Sequence, residues 1–204
     1  MFCPGSRGTP LVVGVGNYTT PIASDVSRRT GQAACQAGSH CTGDGARVAC
    51  PAGRFGSATG LSTPACSGDC SPGHYGSGTG YTAATCAGTC TAAYYCPSGS
   101  VSAQQVPCPA GRWGRAGEVN ASCAGECSAG YACPPASASP TQRLCGGTSF
   151  YCPGGASEAL PAALGFYTTP ETPDTELTRT GVVVCDTGFY CPGDGRRHVC
   201  PVRA

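Results

Sequence analysis

The sequence predicts a small disulfide-rich fold with little regular secondary structure, in which short β-hairpins follow one another in an elongated head-to-tail array of cysteine-rich modules. Three observations predict it. The 204 residues include 18 Cys, 32 Gly and 18 Pro. Large aliphatic side chains are scarce, with one Ile and six Leu in the whole chain. A single cysteine phrase recurs along most of its length.

The first two observations belong together. A chain with so few large apolar side chains cannot bury enough surface to fold on hydrophobic contact alone, and cross-links of about 2–4 kcal/mol each replace that contribution. Such cysteine density persists as disulfides only in an oxidising compartment, which predicts the secretory pathway and an extracellular location. A net charge of +1 with 11% charged residues argues against nucleic acid or anionic membrane as a partner. No run of about 18 apolar residues is present, so no direct membrane insertion by this segment is expected. The first residues, Met1-Phe2-Cys3-Pro4-Gly5, form neither the basic nor the apolar region of a secretory leader. The chain is therefore expected to be cut from a longer array.

The repeats are legible at two scales. At short range the chain reads Cys-Pro-Ala-Gly-Arg-Phe-Gly at 50–56, Cys-Ser-Pro-Gly-His-Tyr-Gly at 70–76 and Cys-Pro-Ala-Gly-Arg-Trp-Gly at 108–114. Each phrase runs on to a Cys-x3-Cys pair: Cys66 with Cys70, Cys86 with Cys90, and Cys123 with Cys127. The second member of each pair opens the next module. In a second form the last glycine of the phrase is a cysteine, at Cys96, Cys133, Cys152 and Cys191, each followed by Pro. At long range Tyr18-Thr19-Thr20-Pro21 returns as Tyr167-Thr168-Thr169-Pro170, and Cys35, Cys41 and Cys50 return as Cys185, Cys191 and Cys200, with an offset of 149 or 150.

The predicted organisation follows. Residues 1–34 are a Thr/Pro-containing insertion closing a preceding module; 35–90 and 90–152 are cysteine-rich modules; 153–184 is a second Thr/Pro-rich insertion; 185–204 begins the next long repeat. Gly and Pro interrupt every apolar period, so very little helix is expected. Val12-Val13 and Val182-Val183-Val184 are candidates for short edge strands. Thr168-Thr169-Pro170-Glu171-Thr172-Pro173 is expected to be extended and solvated.

The Cys-Pro-x-Gly-x-aromatic phrase followed by Cys-x3-Cys resembles the ephrin-receptor-like cysteine-rich repeats, relatives of EGF-like modules, over most of 35–152 and again over 185–204. The Cys-x5-Cys form and the Thr/Pro insertions look more like giant extracellular or flagellar-hair (mastigoneme) glycoproteins of algae and other protists. The first resemblance implies stacked modules, each a short hairpin held by one or two bridges, with Phe55, Tyr75, Tyr95, Trp113 and Tyr190 packed over disulfides.

Two disulfide schemes use every cysteine from Cys35 to Cys152. One pairs neighbours: 35 with 41, 50 with 66, 70 with 86, 90 with 96, 108 with 123, 127 with 133, and 145 with 152. The other, which the resemblance favours, is interleaved: Cys35 with Cys50, Cys41 with Cys66, Cys70 with Cys86, Cys90 with Cys108, Cys96 with Cys123, Cys127 with Cys145, and Cys133 with Cys152. It adds Cys185 with Cys200 and leaves Cys3 and Cys191 without partners in this chain. Crossed bridges would fix the angle between modules. Cys70 with Cys86 is common to both schemes.

Both Asn residues lie in glycosylation sequons, Asn17-Tyr18-Thr19 and Asn120-Ala121-Ser122. The Thr/Pro clusters make Thr19, Thr20, Thr168, Thr169, Thr172 and Thr175 candidates for O-glycosylation. Covalent glycans are expected, and no cofactor. Cys-x3-Cys superficially matches a zinc half-site, but the cysteines form a continuous ladder rather than groups of four, so no metal site is expected. Asp44 and Asp194 sit in Gly-Asp-Gly turns without the additional carboxylates that calcium requires. The three histidines, His40, His74 and His198, have no nucleophile to activate, and the chain is expected not to be an enzyme.

Two function classes remain. Reuse of a long unit favours a structural subunit of an extracellular glycoprotein filament or surface appendage, such as a fibril, sheath or flagellar hair. Its partners would be copies of itself or neighbouring repeats. The alternative is the ectodomain of a ligand-binding receptor or adhesin. A compact globule of this length has a radius of gyration of roughly 17 Å. Solution scattering of the chain is expected to give a value well above that, and a compact value would refute the head-to-tail array.

Overall fold

The computed structural model describes residues 1–5, 9–22 and 28–201. Among them the regular structure consists of ten two-stranded antiparallel hairpins, with a 3-10 turn at Pro173–Thr175. The chain divides into two units, residues 1–90 with 96–105 and residues 91–95 with 106–204. In the first unit Asn17–Thr20 pairs with Gly31–Ala34, Ser39–His40 with Val48–Ala49, Arg54–Phe55 with Gly68–Asp69, and His74–Tyr75 with Gly88–Thr89. The second continues with Tyr94–Tyr95 against Val106–Pro107, Arg112–Trp113 against Gly125–Glu126, Tyr131–Ala132 against Arg143–Leu144, and Phe150–Tyr151 against Leu160–Pro161. It ends on Phe166–Thr169 against Gly181–Val184 and Phe189–Tyr190 against His198–Val199.

Why these residues make hairpins is visible in the phrase itself. The fourth residue, as in Gly53 and Gly111, has φ of 76° and 80°, the left-handed region where a side chain costs about 1–2 kcal/mol. The turn is tight, and the next two residues enter the strand. In the three modules whose phrase ends in Gly, the aromatic lies opposite a glycine: Phe55 opposite Gly68, Tyr75 opposite Gly88, and Trp113 opposite Gly125. That glycine is the middle residue of Cys-x3-Cys, so the ring covers backbone that carries no side chain.

The core is sulfur. Cys35, Cys41, Cys50, Cys70, Cys90, Cys96, Cys108, Cys133 and Cys152 are wholly buried, whereas most large aliphatics stand exposed, among them Leu11, Leu144, Leu160, Leu164 and Leu177. Eight disulfides join Cys35 to Cys41, Cys50 to Cys66, Cys70 to Cys86, Cys90 to Cys96, Cys108 to Cys123, Cys127 to Cys133, Cys145 to Cys152, and Cys185 to Cys191. The interleaved pairings expected from the resemblance are therefore corrected. Cys35 does not reach Cys50, and Cys66 takes Cys50 rather than Cys41; Cys90, Cys96, Cys127 and Cys133 likewise pair within their own modules. Cys185 pairs with Cys191, leaving Cys200 and Cys3 as free, exposed thiols. Only Cys70 with Cys86 survives from the favoured scheme.

The physical reason lies at the sixth residue after each opening cysteine. Where that residue is cysteine, it sits beside the opening sulfur and bonds to it; Cys145 does the same with one residue inserted. Where it is Gly56, Gly76 or Gly114, a Cβ there would lie 2.8, 2.9 or 2.5 Å from the opening sulfur, so glycine leaves room for that sulfur to reach a cysteine 15 or 16 residues on. The longer loops restrict the unfolded chain more, by about 3.1 kcal/mol against about 2.4 kcal/mol for the short ones in the loop-entropy picture.

The valine stretches diverge. Val182, Val183 and Val184 pair with Thr168, Tyr167 and Phe166, as expected of a strand. Val12 and Val13 form no strand, and the bridge in that region joins Phe2 to Leu11. The Thr/Pro segment is also more ordered than expected. Thr168 is wholly buried, and exposure begins at Pro170.

Gly114→Ala tests the sulfur geometry. Its methyl would block the path of the Cys108 sulfur, so peptide mapping is expected to find Cys108 and Cys123 unpaired or scrambled, with stability lower by about 3 kcal/mol. Gly147→Ala, which meets nothing within 4 Å, is expected to leave the map unchanged.

Candidate functional site

Successive modules are joined by their backbones. In the first unit the Gly38 amide donates to Gly56 at 2.7 Å, Gly53 to Gly76 at 2.8 Å, and Gly73 to Cys96 at 2.8 Å. Bonds in the opposite sense return to the opening cysteines: Gly60 donates to the Cys35 carbonyl, Gly80 to Cys50, and Gly99 to Cys70. The second unit repeats the pattern, with Gly111 donating to Cys133, Gly130 to Cys152, Ala136 to Cys108, and Gly155 to Cys127. The hairpins opened by Cys35, Cys50, Cys70, Cys108 and Cys127 thus have both the turn amide and the opening carbonyl satisfied by the next module, and the hairpin opened by Cys90 has its turn amide satisfied by Gly114. Parallel bridges from Phe55 to Tyr81 and from Trp113 to Ser137 belong to the same ladder. The connection expected of crossed disulfides is made by these hydrogen bonds.

The ladder sets a spacing that excludes side chains. A Cβ on Gly53 would fall inside the Gly99 carbonyl, and one on Gly111 inside that of Gly155. A glycine in the turn thus permits close approach to a loop glycine further along. Ala93 is the one turn residue of this series with a side chain; it holds φ of 76°.

The two sequons differ in access. Asn120 is exposed, and its Oδ1 accepts the Ser122 amide at 2.9 Å in an Asx turn. Asn17 is half-buried, its Nδ2 donates to the Val15 carbonyl, and Thr19 of the same sequon is 2% exposed with its hydroxyl donated to Gly45. The O-glycosylation candidates separate in the same way. Thr19 and Thr168 are buried and hydrogen-bonded, which removes them as acceptors in the folded chain; Thr20, Thr169 and Thr175 are half-buried; Thr172 is exposed.

Phe55, Tyr75, Tyr95 and Trp113 are half-buried on their hairpins, while Tyr190 is exposed and stacks on His198 with ring centroids 5.2 Å apart. His40 is buried with Nδ1 3.9 Å from the Cys66 sulfur, so it packs beside the Cys50–Cys66 bridge. His40, Cys50 and Cys66 converge closely enough to hold an ion. Their sulfurs are bonded to each other, however, and a disulfide sulfur lacks the thiolate charge that zinc requires. His198 Nε2 lies 2.7 Å from Asp194 Oδ2. Burial alone would raise the Asp194 carboxyl, but the Arg196 amide and the His198 ring outweigh it and hold it below its ordinary value.

Two features escaped sequence reasoning. The glycines at the sixth position were visible as part of the phrase, but their role as space for a sulfur needs the third dimension. An arginine over a tyrosine face, Arg47 on Tyr18 and Arg197 on Tyr167, occurs once in each copy of the long repeat. The repeat itself was the available signal.

Compared with known proteins, the chain matches no family model and no curated protein. Its eight disulfides place it in an oxidising, extracellular or secretory environment, and no helix among the described residues is long and apolar enough to cross a membrane. Glycopeptide mass spectrometry of the secreted chain is expected to find Asn120 occupied more fully than Asn17. Equal occupancy would show that transfer precedes folding at both.

Proposed function

We propose that the chain is a structural subunit of an extracellular glycoprotein filament or surface appendage, built from disulfide-stapled repeats of the kind seen in fibrils, sheaths or flagellar hairs. The observation that carries this reading is the intermodule ladder. Five hairpins, those opened by Cys35, Cys50, Cys70, Cys108 and Cys127, present the same turn amide and the same opening carbonyl to equivalent partners in the next module, so the contact serves short-loop and long-loop modules alike. A device of that kind suits extension by repetition. A single binding face would need side chains that break the repeat, yet the aromatics stay in register with the cysteines.

Copies of the chain or neighbouring repeats are the proposed partners. The exposed thiols of Cys3 and Cys200 are available for bridges between them, and sugar at Asn120 would solubilise a surface with few charges. The resemblance to mastigoneme-like glycoproteins supports a cell or flagellar surface as the place. Negative-stain microscopy of native extracellular material, with antibody to this chain, tests the reading. Labelled filaments with a regular axial repeat are expected, whereas separate labelled particles that bind a soluble ligand would favour the receptor or adhesin class instead.

A further inference from the structure

The long repeat places one side-chain constellation in the molecule twice. In the first copy Tyr18 lies under the Arg47 guanidinium at 5.5 Å, Thr19 donates its hydroxyl to the Gly45 carbonyl, and the Arg29 carbonyl accepts the Cys3 amide. In the second Tyr167 lies under Arg197 at 5.0 Å, Thr168 donates to Gly195, and the Arg179 carbonyl accepts the Cys152 amide. Each copy has a cavity at the arginines, of about 270 Å³ and 240 Å³ respectively. In each, the Nε of the deeper arginine, Arg29 or Arg179, is buried with no hydrogen-bond partner among the described residues.

The walls differ in charge. In the second copy Glu171 Oε2 lies 2.8 Å from Arg197 Nη2, Asp186 Oδ2 2.5 Å from its Nη1, and Glu176 Oε1 2.8 Å from Arg196. Asp186 and Glu171 raise the Arg197 guanidinium above its ordinary value. The corresponding positions of the first copy carry no acid: Ile22 stands for Glu171, Gln36 for Asp186, and Ala46 for Arg196. Gln36 accepts a hydrogen bond from Arg47 Nη1 at 2.5 Å, and Asp44 turns its Oδ1 to the Ala46 amide. Tyr18, Thr19, Ile22, Arg29, Gly45 and Arg47 line a cavity with two guanidinium groups and, among the described residues, no carboxylate.

We propose that this cavity is a binding site for a carboxylate from outside the chain, which takes the place at Arg47 that Glu171 occupies at Arg197. A planar guanidinium prefers a carboxylate's two oxygens, and the Arg29 side chain on the same cavity wall adds a second positive charge. The ligand is an acidic side chain or an acidic sugar, which share this chemistry. The proposal does not depend on the filament reading, since a subunit and a receptor can both use such a site.

The test observes arginine Nε–H signals by NMR in the oxidised 204-residue chain. It is titrated at constant ionic strength with N-acetylglutamate methylamide and, separately, with glucuronate. Saturable shifts at Arg29 and Arg47 are expected, with shifts at Arg179 and Arg197 at least fivefold smaller. The tighter ligand names the source. Ile22→Glu, at an exposed position, is expected to weaken binding at least tenfold while leaving the disulfide map intact. Equal shifts with chloride, or unchanged binding in Ile22→Glu, would overturn the proposal. Asp25, in the segment 23–27 outside the described residues, is the remaining control. Unchanged binding in Asp25→Asn is expected, and a fivefold gain would show that the chain fills its own site.

Discussion

The reach of one sulfur atom governs how this chain is organised. From Cys35 to Cys145 each cysteine-opened hairpin begins with a buried cysteine, and the residue six places on, or seven at Cys145, stands beside it; Cys185, which opens the last, is half-buried. Cysteine there closes a small loop at once. Glycine there leaves a gap through which the sulfur reaches a more distant partner, and that partner must come from the start of a Cys-x3-Cys pair. The residue Cys66, Cys86 or Cys123 then takes a left-handed backbone, with φ of 53°, 48° and 48°, which an L side chain adopts only at a cost of about 1–2 kcal/mol. A disulfide worth about 3 kcal/mol outweighs that. The glycine two residues later, opposite the aromatic, completes the turn.

Confining each bridge to its own module leaves the contact between modules to the backbone. A crossed bridge would fix two hairpins to each other covalently, but it would also commit each junction to a particular pair of cysteines. Hydrogen bonds from turn glycine to neighbouring carbonyl make no such demand. They use atoms that every residue carries, so modules of the short-loop and long-loop kinds follow one another in any order. In residues 35–152 they do: short, long, long, short, long, short, and then short with an insertion.

How far the sequence disclosed this is best judged residue by residue. The cysteine-rich class, the hairpins and the near absence of helix followed from composition and the recurring phrase, because scarce aliphatics and frequent Gly leave few alternatives. The cysteine spacing admits both the neighbour and the interleaved pairing, and the resemblance to receptor-like modules favours the interleaved one, which the structure does not have. Gly56, Gly76 and Gly114 held the answer, since their alternation with Cys41, Cys96 and Cys133 at the sixth position matches the alternation of long and short disulfide loops along the chain. Without coordinates a glycine at that position reads as a turn former, and nothing one-dimensional says that a sulfur passes over it. Thr168 departs from expectation for a related reason. A threonine in a Thr/Pro run has the composition of a solvated stalk, and only its partners, the Thr148 and Gly195 carbonyls, reveal that it is packed.

The cysteine-free hairpins show what replaces a disulfide. Asn17–Thr20 with Gly31–Ala34, and Phe166–Thr169 with Gly181–Val184, have strands of four residues, whereas the other hairpins have two. The longer pairing supplies more ladder bonds and turns Tyr18 and Tyr167 inward, where each meets an arginine. Their threonine neighbours donate side-chain hydrogen bonds to a glycine carbonyl across the module. Tyrosine, threonine, glycine and arginine together do what two sulfurs do elsewhere, and all four types recur at both places. Because that framework is complete without the outer carboxylates, the outer residues are free to differ. Glu171 can become Ile22 and Asp186 can become Gln36 without opening the core, and the same fold then carries a neutralised pocket in one copy and a cationic one in the other.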